Sequence, residues 1–293
     1  MVIPDEIHRL IPFRSEYLRL SHPEAIRLHY FDEGPRQSDQ PPLICVHGNP
    51  TWSFYFRKVL TAFRQERRVI ALDHIGCGLS SKPQKYPYHL RQHIDNFSVF
   101  MEQVCPEGEV DLLLHDWGGA IALGWAVHRP EKVRKIILTN TAGFRSRHIP
   151  VRIAAGKLPV LGDYAIRGLN LFARAALLMA AKKPLSKEVR QALLWPYRNY
   201  QDRIALLRFV QDIPLHAAHP SWKTLTDIEE HLSALPQGLI LWGEKDFCFN
   251  QHFLKRWQQI WPDALVRRFP EGGHYLLEDE SEGCLKAIRE YLN

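Results

Sequence analysis

The feature that most constrains this chain is a rhythm. Apolar runs of strand length recur at residues 26–31, 43–46, 69–72, 110–114, 136–139, 239–242 and 265–269, with patterns of helical period between most of them. A run without polar alternation is buried on both faces, and such strands, joined through helices, build a mainly parallel sheet of the α/β class. The rhythm breaks once. Between about Arg145 and Pro220 the pattern is helical only, clearest over 169–181, 187–195 and 203–210. We therefore expect residues 1–142 and 221–293 to form an α/β core, with residues 143–220 inserted as a helical cap over the sheet. No internal repeat or low-complexity linker interrupts it.

Composition narrows the class. At 293 residues and 45% hydrophobic content, the chain can bury one large core and carry an insertion. The opening stretch MVIPDEIHRL carries Pro, Asp and Glu where a signal peptide needs a basic end and an apolar run, and no segment approaches about 18 apolar residues. Cysteines at 45, 77, 105, 248 and 284 are odd in number and lack CxxC spacing, which argues against a disulfide framework or a zinc ribbon. A cytoplasmic protein is the expectation.

The net charge of +6 is unevenly placed: residues 143–220 hold thirteen Lys or Arg against four Asp or Glu. A solvated helical surface is the simplest account of that excess; an anionic lipid, an acidic substrate or a partner protein are the others it opens. No nucleic-acid module accompanies the charge, so nucleic acid is not an expected partner.

In an open parallel sheet, ligands bind beyond the carboxyl ends of the strands. Three of those ends carry reactive side chains: His47-Gly48-Asn49-Pro50 after the 43–46 run, His115-Asp116-Trp117-Gly118-Gly119 after 110–114, and Gly243-Glu244-Lys245-Asp246 after 239–242. A fourth, Gly272-Gly273-His274, follows 265–269. The order Asp116, Asp246, His274 repeats the nucleophile, acid, histidine order of an α/β-hydrolase, with aspartate in the nucleophile's place. Asn140, after the 136–139 run, is no carboxylate, which leaves the acid's role to Asp246.

Taken together, HGNPTWS, HDWGG, WGEKDF and GGHYLLED resemble the haloalkane dehalogenase family, in pattern and order, over nearly the whole chain. Within it, NTAGFRSRHIP, RFVQDIPL and GHYLLED are similar to the third subfamily, which also contains β-lactone decarboxylases of bacterial long-chain olefin synthesis. Leu114 departs from the glycine usual two places before a serine nucleophile. The resemblance implies an α/β-hydrolase fold, and no motif of the chain implies a cofactor. The resemblance also implies that Asn49 and Trp117 direct side-chain N–H groups at a departing anion.

The chemistry follows from residue types. A carboxylate in a dry, oriented site can displace a good leaving group from an sp³ carbon, leaving an alkyl ester on Asp116. His274 then activates water as general base, and Asp246 holds its tautomer and stabilises its charged form. Backbone N–H groups of Trp117 and of the 47–50 loop are the expected oxyanion donors. His47, His74 and His115 are expected to be packing neighbours. Gly76-Cys77-Gly78 lacks the third glycine of a dinucleotide loop, and His89 with His93 lacks the glutamate of a metalloprotease motif, so neither a nucleotide nor a metal is expected.

The leading expectation is haloalkane dehalogenation. The alternative is decarboxylation of a cis-β-lactone by the same triad; an epoxide hydrolase, using cap tyrosines among Tyr164, Tyr197 and Tyr200, ranks lower. A binding module on a retired hydrolase fold is the non-enzymatic alternative, which the intact triad opposes. The expected partner is a small apolar substrate, with self-association or docking to olefin-pathway enzymes through the basic cap as further expectations.

Overall fold

The computed structural model describes residues 3–22 and 24–293; Met1, Val2 and Pro23 lie outside the described residues. Eight strands form one sheet: β1 (Ser15–Arg19), β2 (Arg27–Glu33), β3 (Leu43–Val46), β4 (Val69–Leu72), β5 (Val110–Asp116), β6 (Val133–Thr141), β7 (Leu239–Gly243) and β8 (Leu265–Phe269). Their order is β1-β2-β4-β3-β5-β6-β7-β8. Strand β2 runs antiparallel to both β1 and β4, and the pairs from β4 to β8 are parallel.

The unbroken apolar runs have a direct structural cause. Ile44, Val46, Leu112, Leu114, Ile240 and Trp242 enter the hydrophobic cluster on one face of the sheet. Their neighbours Leu43, Cys45, Leu113, Leu239 and Leu241 enter the cluster on the other. With a side-chain period of two, a strand covered on both faces has no position left for a polar residue.

The edges differ. Only Leu18 of β1 is buried, so SEYLR shows no apolar run and the sequence reading misses this strand. At the far edge β8 exposes Leu265, Arg267 and Arg268. Charged, half-solvated edges discourage pairing with a second sheet.

Between β6 and β7 the chain is helical: Val151–Ala155, Pro159–Gly162, Leu171–Met179, Lys187–Leu194 and Ile204–Gln211, with short single-turn pieces. The helix expected from residue 169 is interrupted. Residues Asp163–Gly168 wind as a π-helix, and Asn170 turns left-handed at φ 56° before a new helix starts at Leu171. Asparagine tolerates that conformation, and here its buried side chain donates Nδ2–H to the Tyr197 carbonyl at 3.3 Å. The following Pro220–His231 helix packs instead on the Leu90–Val104 and Trp117–Ala126 helices against the sheet. Among the described residues no helix is long and apolar enough to cross a membrane.

Candidate active site

Asp116 ends β5 at a sharp turn, with φ 51° and ψ −128°, and the Trp117–Ala126 helix begins at the next residue. A positive φ is costly for a side-chain-bearing residue, so the surroundings must hold it. A register shift between β5 and β6 falls at His115 and Asp116, and Thr141 Oγ1 donates to the Asp116 carbonyl at 2.5 Å. Gly118 lets the new helix close on β3, because a Cβ there would lie 2.0 Å from the Val46 carbonyl oxygen. Gly48 leaves room for the carboxylate itself: its Cβ would fall 1.9 Å from Asp116 Oδ1.

The expected partners converge on that carboxylate. The Asn49 backbone N–H donates to Asp116 Oδ1 at 2.7 Å, and His274 Nε2 stands 3.6 Å from Asp116 Oδ2. On the other side of the ring, His274 Nδ1 donates to Asp246 Oδ2 at 2.8 Å. Asp246 Oδ1 accepts from the N–H groups of Cys248 and Phe249 at 2.6 and 3.1 Å, so both of its oxygens are used. A carboxylate held this way fixes both the tautomer and the tilt of its imidazole.

Asn140 supports the same corner. Its Nδ2 donates to the Gly243 carbonyl at 3.1 Å and its Oδ1 accepts the Gly243 N–H at 2.8 Å, which clamps the end of β7 just before Asp246. The sequence reading noted Asn140 only as a missing acid. Its φ of 39° and this two-way bond give it a positioning role.

Two rings hold His274: His115, expected as a packing neighbour, and Phe249, which no motif announced. His115 lies 4.6 Å away, centroid to centroid, and Phe249 stacks at 5.8 Å with an 18° interplanar angle. His115 donates Nδ1–H to the Thr139 carbonyl at 2.9 Å and is fully buried. Burial, reinforced by His274, keeps its pKa well below the ordinary value, so it is a neutral neighbour. His47 and His74 are also buried and bonded to each other's backbone.

Charge is balanced locally. Burial pushes the Asp116 carboxyl above its ordinary pKa, while His274 and the N–H groups of Asn49 and Trp117 pull it back. Burial also disfavours a charged His274, but the charge and hydrogen bond of Asp246, with the charge of Asp116, more than offset this and raise its pKa. Esterification of Asp116 would remove one of those negative neighbours. Loss of that charge would lower the His274 pKa and leave more of the imidazole neutral.

A cavity opens above Asp116. Asn49 and Trp117 line it beside the carboxylate, and Phe144, Phe172, Val210, Ile213, Leu225 and Phe249 supply apolar walls. Half-buried Trp117 packs on Phe209, and its indole N–H has no protein acceptor among the described residues. Asn49 is more committed than expected. Its Nδ2 donates one proton to the Leu206 carbonyl in the helical insertion at 3.1 Å, which leaves the second for an anion. The three tyrosines considered for an epoxide are not in the cavity wall: Tyr164 and Tyr200 are exposed, and Tyr197 is buried with its hydroxyl on the Thr51 carbonyl.

Residues 41–281 match the family described as the alpha/beta hydrolase fold. The chain belongs to the α/β-hydrolase family. This hydrolase is 35% identical, over 97% of its own length and 89% of the relative's, to a cis-3-alkyl-4-alkyloxetan-2-one decarboxylase of Shewanella oneidensis. It is 30% identical to haloalkane dehalogenase 2 of Mycobacterium bovis, over 96% of each chain. The crystal structure of a haloalkane dehalogenase from Bradyrhizobium elkani superposes with a TM-score of 0.85 at 23% identity, covering 96% of this chain and 97% of that one. The resemblance to the dehalogenases, with the decarboxylases as near kin, thus holds along the whole hydrolase, and the structural neighbour shares its fold.

Proposed function

We propose that Asp116 attacks an sp³ carbon of an apolar substrate and expels an anionic leaving group, with a cis-3,4-dialkyl oxetan-2-one, a β-lactone, as the substrate. The observation that carries this reading is a buried aspartate in the nucleophile's place beside an indole N–H without a protein acceptor. An acyl-transfer hydrolase has no need of an indole donor there. The dialkyl lactone is supported by the 35% identity to the decarboxylase and by the apolar cavity walls. In the same reading, residues 143–220 act as a cap that closes the cavity.

Asp116 would approach the ring carbon bearing the lactone oxygen from the face opposite that oxygen. The ring C–O bond breaks, and the freed carboxylate takes the N–H donors of Trp117 and Asn49. The electron pair of the bond to that carboxylate then forms the alkene, carbon dioxide departs, and the Asp116 C–O bond breaks to restore the carboxylate. Inversion in the first step and anti departure in the second put both alkyl groups on one side. A cis lactone therefore gives a cis alkene, and no water is consumed.

Carbon–halogen cleavage is the second reading, favoured by the same pair of N–H donors and by the dehalogenase relative. There the ester on Asp116 must be opened by water, with His274 Nε2 taking the proton. The products are an alcohol, a halide and a proton.

The test offers the wild type a bromoalkane and a cis-dialkyl β-lactone separately, reading bromide in one case and alkene in the other. Fast alkene release with feeble bromide release is expected; fast bromide with no alkene overturns the lactone reading in favour of the second. With the bromoalkane, His274→Phe should release one bromide per protein and gain the mass of one alkyl group on Asp116. A folded variant without that adduct defeats the nucleophile assignment.

A further inference from the structure

The stretch from Val151 to Met179 between β6 and β7 carries apolar residues on both its inward and its outward side. Inward, Ile166, Ala173, Leu206 and Val210 form a buried cluster. Outward, Val151, Val160 and Leu178 are 84%, 83% and 79% exposed, with Leu158, Leu161 and Tyr164 exposed beside them. A surface helix of a soluble protein ordinarily turns a polar face to water. Over Leu171–Met179 the one charged residue is Arg174, and exposed Leu171 and Leu178 flank it along the helix. Exposed apolar residues gathered in this way mark a contact surface.

The charges around it choose the occupant. Arg147, Arg152, Arg174 and Lys182 are exposed, and none of them pairs with a carboxylate among the described residues. Arg152 contacts Met179 Sδ at 2.8 Å, which brings the Val151–Ala155 helix beside Leu178. Side chains about four-fifths exposed stand out from the protein instead of lining a groove, so the surface fits a soft phase better than a shaped protein partner. Protruding apolar residues, a rim of long cationic side chains and a tyrosine are what an interfacial protein offers a bilayer. The face also adjoins the cavity: Ile149, Pro150 and Ile153 line the cavity, and Val151 and Arg152, between them, face out.

We infer that residues 151–178 dock this enzyme on an anionic lipid surface, with the cavity mouth turned toward the bilayer so that apolar substrate enters from it. The docking stands by itself; the delivery of substrate rests on the lactone reading above. The basic surplus of the insertion then has a function, because cations near an anionic surface each add to the attraction and are screened by salt.

The test is flotation of the full chain with phosphatidylcholine vesicles, with and without phosphatidylglycerol. Binding about tenfold stronger to the anionic vesicles is expected, with a loss of about fivefold for each of Arg152→Ser and Arg174→Ser. Val160→Asp with Leu178→Asp should abolish flotation while circular dichroism stays that of the wild type; the arginine variants carry the test if the aspartates disturb folding. Equal binding to both vesicles, flotation of a folded aspartate variant, or a concentration-dependent dimer that the aspartates dissolve would each overturn the proposal. For delivery, the double aspartate variant should slow alkene release from vesicle-borne lactone and leave release from micelles unchanged. No alkene from the wild type in either form, with flotation intact, would defeat the lactone reading and not the docking.

Discussion

The molecule holds two buried imidazole–carboxylate pairs of nearly the same geometry, set in different surroundings. His274 Nδ1 lies 2.8 Å from Asp246, and His29 Nδ1 lies 2.7 Å from Asp73. The second pair even has a serine: His29 Nε2 is 3.0 Å from Ser15 Oγ, so Ser15, His29 and Asp73 have the spacing of a hydrolase triad. What separates them is the far side of the ring. His274 Nε2 faces Asp116 at 3.6 Å beneath a cavity, whereas His29 is fully buried where β1 and β2 meet and has both nitrogens engaged. Asp73 in turn accepts the N–H groups of Ser53 and Leu79 at 2.6 and 2.8 Å, which ties down two loops. A relay geometry becomes catalytic only where its reactive end meets a substrate.

The largest effect that would break this comparison concerns Asp246. Asp246→Asn should cut kcat for bromoalkane hydrolysis by roughly 10²–10⁴-fold, because the imidazolium loses its stabilising partner, while thermal unfolding shows a fold still intact. Since Asp246 helps hold the His274 pKa above 6.5, wild-type hydrolysis should fall as pH drops through that raised value. In the variant the acid limb should move down; an unmoved limb would assign it to another group.

The reciprocal variant sharpens the contrast. Asp73→Ala should cost about 3–5 kcal/mol of stability, measured by urea unfolding, because His29 and two N–H groups lose a buried partner, with turnover per folded molecule retained. The pKa of Asp73 is lowered: burial opposes its charge, but His29, His47 and the Leu79 N–H outweigh burial. Its contribution is therefore complete above the ordinary carboxylate value of 3.8 and fades as pH falls toward the depressed one. Smallest is Ser15→Ala, expected to cost about 1 kcal/mol as one hydrogen bond is lost. Labelling of Ser15 by a fluorophosphonate would show that the second pair is reactive after all.

Much of the fold is legible in the chain because strands covered on both faces leave an unambiguous apolar signature. Runs 43–46 and 69–72 coincide with β3 and β4. Strand β1 is missed for the converse reason, since an edge strand with one buried residue writes no pattern. The site is legible where the backbone imposes residue types. The Gly118-Gly119 approach and the Asp116 turn are local demands, so HDWGG can be read without a structure. Phe249 beside His274, the Asn140 clamp and the Asn49 bond to Leu206 are not legible, because each joins residues from separate elements.

The sequence by itself determined the α/β class, the helical stretch between β6 and β7 and the aspartate at the sharp turn after β5, since periodicity and backbone sterics act over a few neighbouring residues. Tertiary structure alone decided which of two similar histidine–aspartate pairs faces the cavity-lining Asp116. It also decided that the apolar residues of 151–178 divide between a buried core and an exposed face. Both depend on packing between segments far apart in the chain, and only folding brings those segments together.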